Sequence, residues 1–168
     1  MAVPSRPPSQ GGADLALEIG IDDPGASDIV ALVQAHLAEM HGQSPLEHVH
    51  AMEPEALRAD GVQFYSARCA GELVAIGALK LVGPGHVEIK SMRTADRWRR
   101  RGAGACMLAH LLEVARAQGY KRVSLETGTK EYFAPARALY AKAGFVPCAP
   151  FASYTDNPYS VCMTMELF

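Results

Sequence analysis

Residues 92–105 read Met-Arg-Thr-Ala-Asp-Arg-Trp-Arg-Arg-Arg-Gly-Ala-Gly-Ala, and they are the most informative segment of the chain. It joins a strand-like run to a periodic helix through a turn of the form Arg99-x-x-Gly102-x-Gly104. Glycine lets the backbone approach a ligand closely, and the start of a helix offers unpaired N–H groups and a partial positive charge. We therefore predict a pyrophosphate site at this turn, with a glycine-rich turn carrying solvated arginines as the alternative.

The sequence on either side of this turn alternates between strand-like and helical patterns. Apolar residues recur at helical spacing from Ile29 to Met40, and two later apolar runs meet at a tight turn, 70–72, which predicts a hairpin. The predicted strands are 15–21, 62–69, 73–82, 86–94, 123–126, 145–148 and 160–167, and the predicted helices are 29–40, a short helix within 43–60, 105–115 and 135–142. The expected fold class is α/β, with a mixed central sheet of about seven strands (an antiparallel N-terminal meander, then a βαβ unit) flanked by about four helices.

Length and composition indicate one globular domain. The chain has 168 residues, of which 49% are hydrophobic and 20% are charged. Residues 1–12 are rich in Pro, Gly, Ser and Gln, so we expect a disordered tail followed by a single domain over 13–168. No apolar run approaches the roughly 18 residues of a membrane helix, and the N-terminus lacks the apolar core of a secretory signal. The four cysteines lie far apart without zinc-site spacing, so we expect reduced thiols in a cytoplasmic protein.

The basic residues are concentrated in one short segment. The net charge is −2, yet five of the 16 Lys and Arg residues lie between Arg93 and Arg101. This confined positive charge fits a compact polyanion, whereas a nucleic-acid track would need a basic face across the domain. We therefore expect no nucleic-acid partner. Trp98, within the segment, is expected to be an exposed or half-packed turn residue.

Two spaced motifs resemble the GNAT superfamily of N-acetyltransferases. The Arg-x-x-Gly-x-Gly turn between a strand and a helix resembles motif A of that family, which binds acetyl-CoA. Residues 136–145, Ala-Arg-Ala-Leu-Tyr-Ala-Lys-Ala-Gly-Phe, are similar to its A-x-x-L-Y-x-x-x-G-F segment. The spacing and the strand order extend the resemblance over residues 15–168. Residues 88–94, 125–128 and 133–140 further resemble the bacterial YsnE-like subgroup.

The resemblance implies acetyl-CoA as cosubstrate. Backbone N–H groups at Met92 and Thr94 would hold its acetyl and pantetheine parts, and a bulge in that strand would free them from regular pairing. The implied cofactor-binding residues are Met92, Arg93, Thr94, Arg99, Arg100, Arg101, Gly102, Ala103, Gly104, Ala105 and Phe133. Many family members carry asparagine where this chain has Phe133, so one hydrogen bond to the cofactor is missing from the expected set.

Acetyl transfer to an amine requires a base, because an alkylamine with a pKa near ~10 is mostly protonated at pH 7. Glu88 is six residues before Thr94, so strand parity predicts that it shares a face with Lys90, Met92 and Thr94. The resemblance implies a general base at Glu88, and the alternative is an ion pair with Lys90 or an arginine. At Tyr140 the resemblance implies a general acid for the departing thiolate, and the alternative is a core tyrosine bonded to the backbone.

The expected acceptor-binding residues lie outside these motifs. His48 and His50 belong to the segment between the first two helices, which borders the acceptor pocket in this superfamily. Glu126 is a candidate for binding the amine, and the alternative is that it is a charged residue at the sheet edge without a role in binding. Tyr132, Phe133, Tyr154 and Asp156 are further pocket candidates. Two loop histidines without a third partner do not predict a metal site, so we expect no metal.

These patterns favour an acetyl-CoA-dependent N-acetyltransferase that acts by direct attack in a ternary complex. The expected acceptor is a primary amine of a small or amino-acid-like molecule. A protein lysine or N-terminal acetyltransferase is one alternative, and a non-catalytic CoA-binding regulatory module is another. We expect no membrane partner, and the sequence allows a homodimer.

Overall fold

The computed structural model describes residues 15–168, so the tail expected over residues 1–12 lies outside the described part. The strands are β1 (Glu18–Ile21), β2 (Val62–Cys69), β3 (Glu72–Gly83), β4 (His86–Thr94), β5 (Arg122–Gly128), β6 (Val146–Cys148) and β7 (Ser160–Glu166). The α-helices are α1 (Ser27–Gln43), α2 (Ala103–Ala117) and α3 (Ala134–Ala143). Residues 15–168 contain no helix with the length and apolar character that crossing a membrane requires.

The strands form one mixed sheet in the order β1-β2-β3-β4-β5-β7-β6. Neighbouring strands are antiparallel except for β4 and β5, which are parallel and are connected through α2. The turn between β2 and β3 has positive φ at both Ala70 and Gly71, as a two-residue hairpin turn requires. The predicted α/β class, the hairpin and the seven-stranded sheet are therefore confirmed within the described residues.

The short helix expected between residues 43 and 60 is not formed, which leaves three α-helices in residues 15–168 instead of four. Two 3₁₀ turns, Leu46–His48 and Ala56–Arg58, occupy this segment. Pro45 and Pro54 explain the difference, because proline lacks a backbone N–H and disfavours helical geometry in the preceding residue.

Apolar side chains pack against both faces of the sheet. The α2 face includes Val87, Ile89, Met107, Leu108, Leu111, Val123, Leu125 and Tyr140. The α1 face includes Ile29, Val33, Leu37, Leu57, Phe64, Ile76 and Ala78. Each fully buried aliphatic side chain contributes about 1.5–3 kcal/mol to stability, so the two clusters hold α1 and α2 on opposite sides of the sheet.

A β-bulge interrupts β4 at Ser91. Lys90 and Arg93 are three residues apart in β4, yet they pair with residues of β3 that are two apart. Ser91 has φ of 56°, a left-handed conformation that is uncommon outside glycine. In the described register, Ser91 and Met92 have no partner in β3, so the bulge expected in this strand is confirmed.

The bulge reverses the alternation of side chains along β4. Glu88 and Lys90 share the α1 face, because Lys90 lies opposite Ala78 of the α1 cluster. After the bulge, Met92 packs in the α2 cluster and Arg93 reaches α1. Strand parity correctly placed Glu88 beside Lys90. The prediction that Met92 and Thr94 share the α1 face is wrong, because the extra residue of the bulge shifts the two-residue alternation of side chains.

β4 and β5 separate after a short paired stretch. Parallel pairing joins residues 86–88 to residues 122–124, whereas β5 continues beside β7 to Gly128. The sheet therefore opens between the second halves of β4 and β5. Ligands of sheets with βαβ connections bind outside the carboxyl ends of the strands, so this opening is the expected location of the site.

Trp98 is buried, with 7% of its surface exposed. Its indole Nε1 donates a hydrogen bond to Glu72 at 3.1 Å, and the guanidinium carbons of Arg97 and Arg101 lie 5.5 and 5.1 Å from its ring. The expectation of an exposed or half-packed residue is wrong, because the basic turn folds back and its arginines cover the indole.

Candidate active site

A cleft of about 650 Å³ lies where β4 and β5 separate. Many of the predicted site residues line it: Met92, Arg93, Thr94, Arg99, Arg100, Gly102, Gly104, Ala105, Phe133, Glu126, His48, His50 and Tyr140. Five other predicted residues are described by the structure but do not line the cleft: Glu88, Arg101, Ala103, Tyr154 and Asp156. The fold thus brings the predicted anion-binding turn, the predicted acid and part of the predicted acceptor pocket to one cleft.

The turn before α2, where the sequence predicts an anion site, forms one corner of the cleft. Gly102 precedes the helix with φ of 84°, and Arg100 also has positive φ, 61°. Arg99 and Arg100 line the cleft beside the unpaired N–H groups of the first helical turn. Arg101 instead lies over the indole of the buried tryptophan, and the side chain of Ala103 is buried in the core. Two of the three consecutive arginines therefore face the cleft.

Gly104 keeps this corner open. A Cβ added there would lie 3.5 Å from Leu139 Cδ2 and 3.7 Å from Thr94 Oγ1. Both neighbours line the cleft. A β-branched side chain at Gly104 would therefore occupy the space between α2, α3 and the end of β4.

The bulge contributes main-chain groups to the same cleft. Ser91 and Met92 both line it and lack a β3 partner in the described register, whereas Thr94 lies opposite Ala75. The hydroxyl of Ser91 is buried and has no hydrogen-bond partner among residues 15–168. The Ser91 hydroxyl is therefore a polar group near the end of β4 that the described chain leaves unpaired.

Tyr140, on α3, approaches the cleft from the α2 face. It is 7% exposed, packs edge-on against Phe145, and lines the cleft. Burial raises the pKa of Tyr140 to about 12, so the phenol is protonated at neutral pH. In the described part of the chain its hydroxyl makes no hydrogen bond to protein. The alternative of a core tyrosine bonded to the backbone therefore finds no support in the geometry.

Glu88 is enclosed by partners on the α1 face. Its carboxylate accepts a hydrogen bond from the hydroxyl of Tyr154 and lies 3.5 Å from Lys90 Nζ, which also donates to the Tyr154 hydroxyl at 2.8 Å. These residues line a smaller neighbouring cavity of about 300 Å³, together with His50. Burial and the charge of Glu88 raise the pKa of Tyr154. The geometry corresponds to the ion-pair alternative for Glu88 rather than to a base facing the cleft.

His50 and Glu126 form a contact that the sequence did not indicate. Nδ1 of His50 lies 2.5 Å from Oε2 of Glu126, and both side chains line the cleft. Burial raises the pKa of Glu126, while the hydrogen bond from His50 acts in the opposite direction. The two residues were predicted separately as acceptor-pocket residues, and the loop after α1 brings them together across 76 positions of sequence.

Two residues of α1 were missed as cleft neighbours. The carboxylate of Glu39 accepts hydrogen bonds from Arg93 at 2.5 and 2.7 Å and from the hydroxyl of Tyr132, and it lies 3.5 Å from Arg99. The hydrogen bonds from Arg93 lower the pKa of Glu39 to about 2. His36 lines the cleft, and burial lowers its pKa to about 4. A histidine in the apolar stripe of α1 was a visible signal, whereas nothing in the sequence distinguished Glu39.

Phe133 and His48 complete the walls of the cleft. The ring of Phe133 lies against Gly128, where an added Cβ would be 2.0 Å from Phe133 Cδ2. The ring of His48 packs 5.1 Å from that of Tyr159, which also lines the cleft. Asp156 is described but does not line the cleft. Residues 15–168 show no cluster of three or more His, Cys, Asp or Glu side chains arranged to hold a metal ion.

Comparison with known proteins agrees with this architecture. The sequence profile of the acetyltransferase (GNAT) family matches residues 29–145. The chain is 45% identical to the uncharacterized N-acetyltransferase YsnE of Bacillus subtilis (strain 168), over 90% of this chain and 100% of that protein. It is 42% identical to the uncharacterized N-acetyltransferase YedL of Escherichia coli (strain K12), over 89% of this chain and 94% of that protein.

A solved structure with similar sequence has the same fold. The proposed acyl-CoA N-acyltransferase from Klebsiella pneumoniae subsp. pneumoniae MGH 78578 is 28% identical and superposes with a TM-score of 0.74, covering 92% of this chain and 100% of that one. The sequence motifs, the separated strands with their bulge, and these relatives agree. The chain therefore belongs to the GNAT family of acetyltransferases, and it is an acyltransferase of the YsnE-like group.

Proposed function

We propose that the protein transfers the acetyl group of acetyl-CoA to a primary amine of a small or amino-acid-like acceptor, by direct attack in a ternary complex. The main support for this proposal is that the groups needed for the reaction share one cleft between β4 and β5. An anion-binding turn and Tyr140 reach it from the α2 side, and an acidic residue, Glu126, reaches it from β5.

The residues present fit acetyl-CoA. Arg99, Arg100 and the first turn of α2 would hold the pyrophosphate. The main-chain groups of Ser91 and Met92, which have no β3 partner in the described register, would bond to the amide-rich pantetheine arm. Their location at the opening of the sheet would lead that arm toward Tyr140. Bound acetyl-CoA would supply an activated thioester in this cleft.

Tyr140 supports a transferase rather than a CoA-binding module without activity. A buried phenol that is protonated and free of protein hydrogen bonds in residues 15–168 can donate to sulfur as negative charge develops there. A regulatory module would have no need of a protonated phenol that faces the cleft and makes no hydrogen bond to the described chain.

The walls on the α1 side support a small acceptor. Four residues of the loop after α1 line the cleft and form its wall next to Glu126: His48, Val49, His50 and Ala51. A space with a wall on this side suits a small amine better than an extended peptide. Glu126 would attract the acceptor's ammonium group before its proton is removed.

A turnover screen tests the proposal. Acetyl-CoA is incubated with the protein and with amino acids, polyamines, aminoglycosides, simple alkylamines or peptides, and both free thiol and acetylated product are measured. We expect at least one small amine to accelerate thiol release and to appear as its acetamide. Thermal stabilisation by CoA without turnover of any amine would indicate a non-catalytic module. Faster acetylation of peptides than of every small amine would contradict the acceptor class.

A further inference from the structure

We infer that His50 and Glu126 act as a general-base pair, in which Nε2 of His50 removes the proton from the acceptor's ammonium group and Glu126 orients the ring. This inference rests on the proposed function. It gives the two residues a role in proton transfer, and it replaces the assignment of the base to Glu88.

Contacts on several sides fix the imidazole of His50. Oε2 of Glu126 lies 2.5 Å from Nδ1, and with the carboxylate ionised the proton of this contact belongs to the ring nitrogen. Lys90 Nζ donates to the main-chain oxygen of His50 at 2.8 Å, and the ring of Tyr154 meets the imidazole edge-on at 5.0 Å between centroids. A histidine held by a carboxylate at Nδ1 presents Nε2 as its acceptor, and His50 Nε2 makes no protein hydrogen bond in residues 15–168.

Other groups in the cleft are less suited to the role. Glu126 is the one carboxylate among the described lining residues. Of the three lining histidines, His36 has a pKa lowered to about 4 by burial, and its Nδ1 is buried without a partner in the described chain. His48 lies 3.8 Å from Glu47, a residue on the outer surface. His50 alone among these described histidines combines a partly buried carboxylate partner with a position at the cleft.

The opening of the sheet places this pair opposite the acid. Leu125 packs in the α2 cluster together with Tyr140, so its neighbour Glu126 points to the α1 face. The pair and Tyr140 therefore reach one cleft from opposite faces of the sheet. An amine entering from the α1 side would meet a thioester held on the α2 side.

The charged and titratable groups around His50 come from three elements. Glu126 belongs to β5, Lys90 and Glu88 belong to β4, and Tyr154 lies in the loop between β6 and β7. Lys90 and Glu88 lie 3.5 Å apart and largely offset each other's charge. The carboxylate of Glu126 is thus the uncompensated charge next to the imidazole, and it stabilises the imidazolium that forms after proton transfer.

The proton and electron balance closes without a further reactant. Nε2 of His50 takes one proton from the ammonium group, and the neutral nitrogen attacks the thioester carbonyl carbon. The C–N bond forms and the C–S bond breaks, and the sulfur leaves with the bonding pair and receives the phenolic proton of Tyr140. The phenolate regains a proton from the nitrogen of the new amide. His50, whose side chain is 33% exposed, releases its proton to solvent.

Two amines of nearly equal size test the role of His50. Ethylamine is almost fully protonated at pH 7, whereas 2,2,2-trifluoroethylamine is mostly neutral and needs no base. With ethylamine we expect His50→Gln to lower kcat/KM by about 10²-fold or more, and with trifluoroethylamine by less than about threefold. His41→Gln, at an exposed position of α1, is the matched control and should behave as wild type with both amines.

The outcomes separate the two proposals. Equal losses with both amines in His50→Gln would show that His50 only shapes the pocket, and would overturn the base assignment while leaving the transferase intact. A wild-type protein that acetylates neither these two amines nor any other amine of the turnover screen would overturn the proposed function as well. A Glu126→Gln variant with the wild-type ratio of kcat/KM for ethylamine to kcat/KM for trifluoroethylamine would contradict the orienting role of Glu126.

A spectroscopic measurement tests the pair without turnover. Long-range ¹H–¹⁵N NMR spectra identify which ring nitrogen of each histidine carries the proton, and His50→Gln assigns the signal. We expect the Nδ1–H tautomer of His50 in the wild type and a shift toward a mixture of tautomers in Glu126→Gln. An Nε2–H tautomer in the wild type would overturn the inference.

Discussion

Glu39 of α1 and Arg93 of β4 form a two-nitrogen ion pair, with N–O distances of 2.5 and 2.7 Å. The pair ties α1 to the strand directly after the bulge, and the side chain of Arg93 is only 6% exposed. The Nε of Arg93 has no hydrogen-bond partner in residues 15–168, and its other carboxylate contact, Asp96, is longer at 3.3 Å, so Glu39 supplies the two shortest contacts of this buried guanidinium. The geometry of this strand end, and of the cleft beside it, therefore depends on a residue of α1.

Glu39→Gln should destabilise the fold and flatten its response to acid. Removing one partner of a buried ion pair costs several kcal/mol, and removing one partner of an exposed pair costs less. Because Arg93 is buried and Glu39 is partly exposed, we expect the free energy of unfolding to fall by about 1–3 kcal/mol at pH 7. The folded-state pKa of Glu39 is lowered to about 2 from an ordinary value of 4.5. Its contribution to stability is therefore present above pH 4.5 and is lost as the pH falls toward 2.

Urea unfolding at a series of pH values measures this effect. The free energy of unfolding of Glu39→Gln should fall less steeply between pH 5 and 2 than that of the wild type. Glu113→Gln, at an exposed position of α2, is the matched control and should retain the wild-type slope. An unchanged slope in Glu39→Gln would mean that Arg93 does not hold the carboxylate ionised.

Gly104→Val should abolish most CoA binding in a folded protein. The added side chain would fill the space toward Leu139 and Thr94, where the ligand is expected to pass. We expect the Kd for CoA to rise by at least about tenfold, equivalent to about 1.4 kcal/mol, by calorimetry. Gly42→Val, at a helical glycine with no atom within 4 Å of an added Cβ, controls for helix propensity. If folded Gly104→Val binds CoA with wild-type affinity, the turn before α2 is not part of the CoA site.

Tyr140→Phe should lower kcat by about 10²-fold while CoA affinity and the acceptor KM hold nearly constant. The substitution preserves the packing against Phe145 and removes only the hydroxyl. Tyr120→Phe, at a partly buried tyrosine away from the cleft, is the control. Steady-state rates at several solvent viscosities establish whether chemistry limits turnover. If it does and kcat is unchanged, Tyr140 is a structural residue.

Gly128→Ala should displace Phe133. An added Cβ would lie 2.0 to 2.6 Å from three atoms of the phenyl ring, so the ring must leave its position against the end of β5. We expect a loss of about 1–3 kcal/mol in unfolding free energy together with weaker CoA binding, because Phe133 lines the cleft. The double variant Gly128→Ala with Phe133→Leu should recover part of the stability. If the changes in unfolding free energy of the two single variants simply add in the double variant, the contact between position 128 and the Phe133 ring is contradicted.

Local patterns explain which parts of the site were predictable. The anion-binding turn depends on consecutive residues, since glycine conformations and a helix start are fixed within a few positions of one another. The placement of Glu88 depended on an unbroken period of two along β4, and the bulge at Ser91 breaks that period. The sequence analysis expected a bulge in β4 but did not locate it, so Glu88 and Met92 were assigned to one face although they lie on opposite faces.

The family, the succession of strands along the chain and the glycine turn before α2 could be predicted from the sequence, because each depends on short-range spacing. Which side chains contact each other depends on the packing of the elements. Glu39 contacts Arg93 across 54 positions, and His50 contacts Glu126 across 76. Such pairs form when α1 and the loop after it pack on the sheet, and no local periodicity encodes the distance between residues so far apart. The packing of these elements therefore determines that the carboxylate of Glu126, and not that of Glu88, lines the cleft.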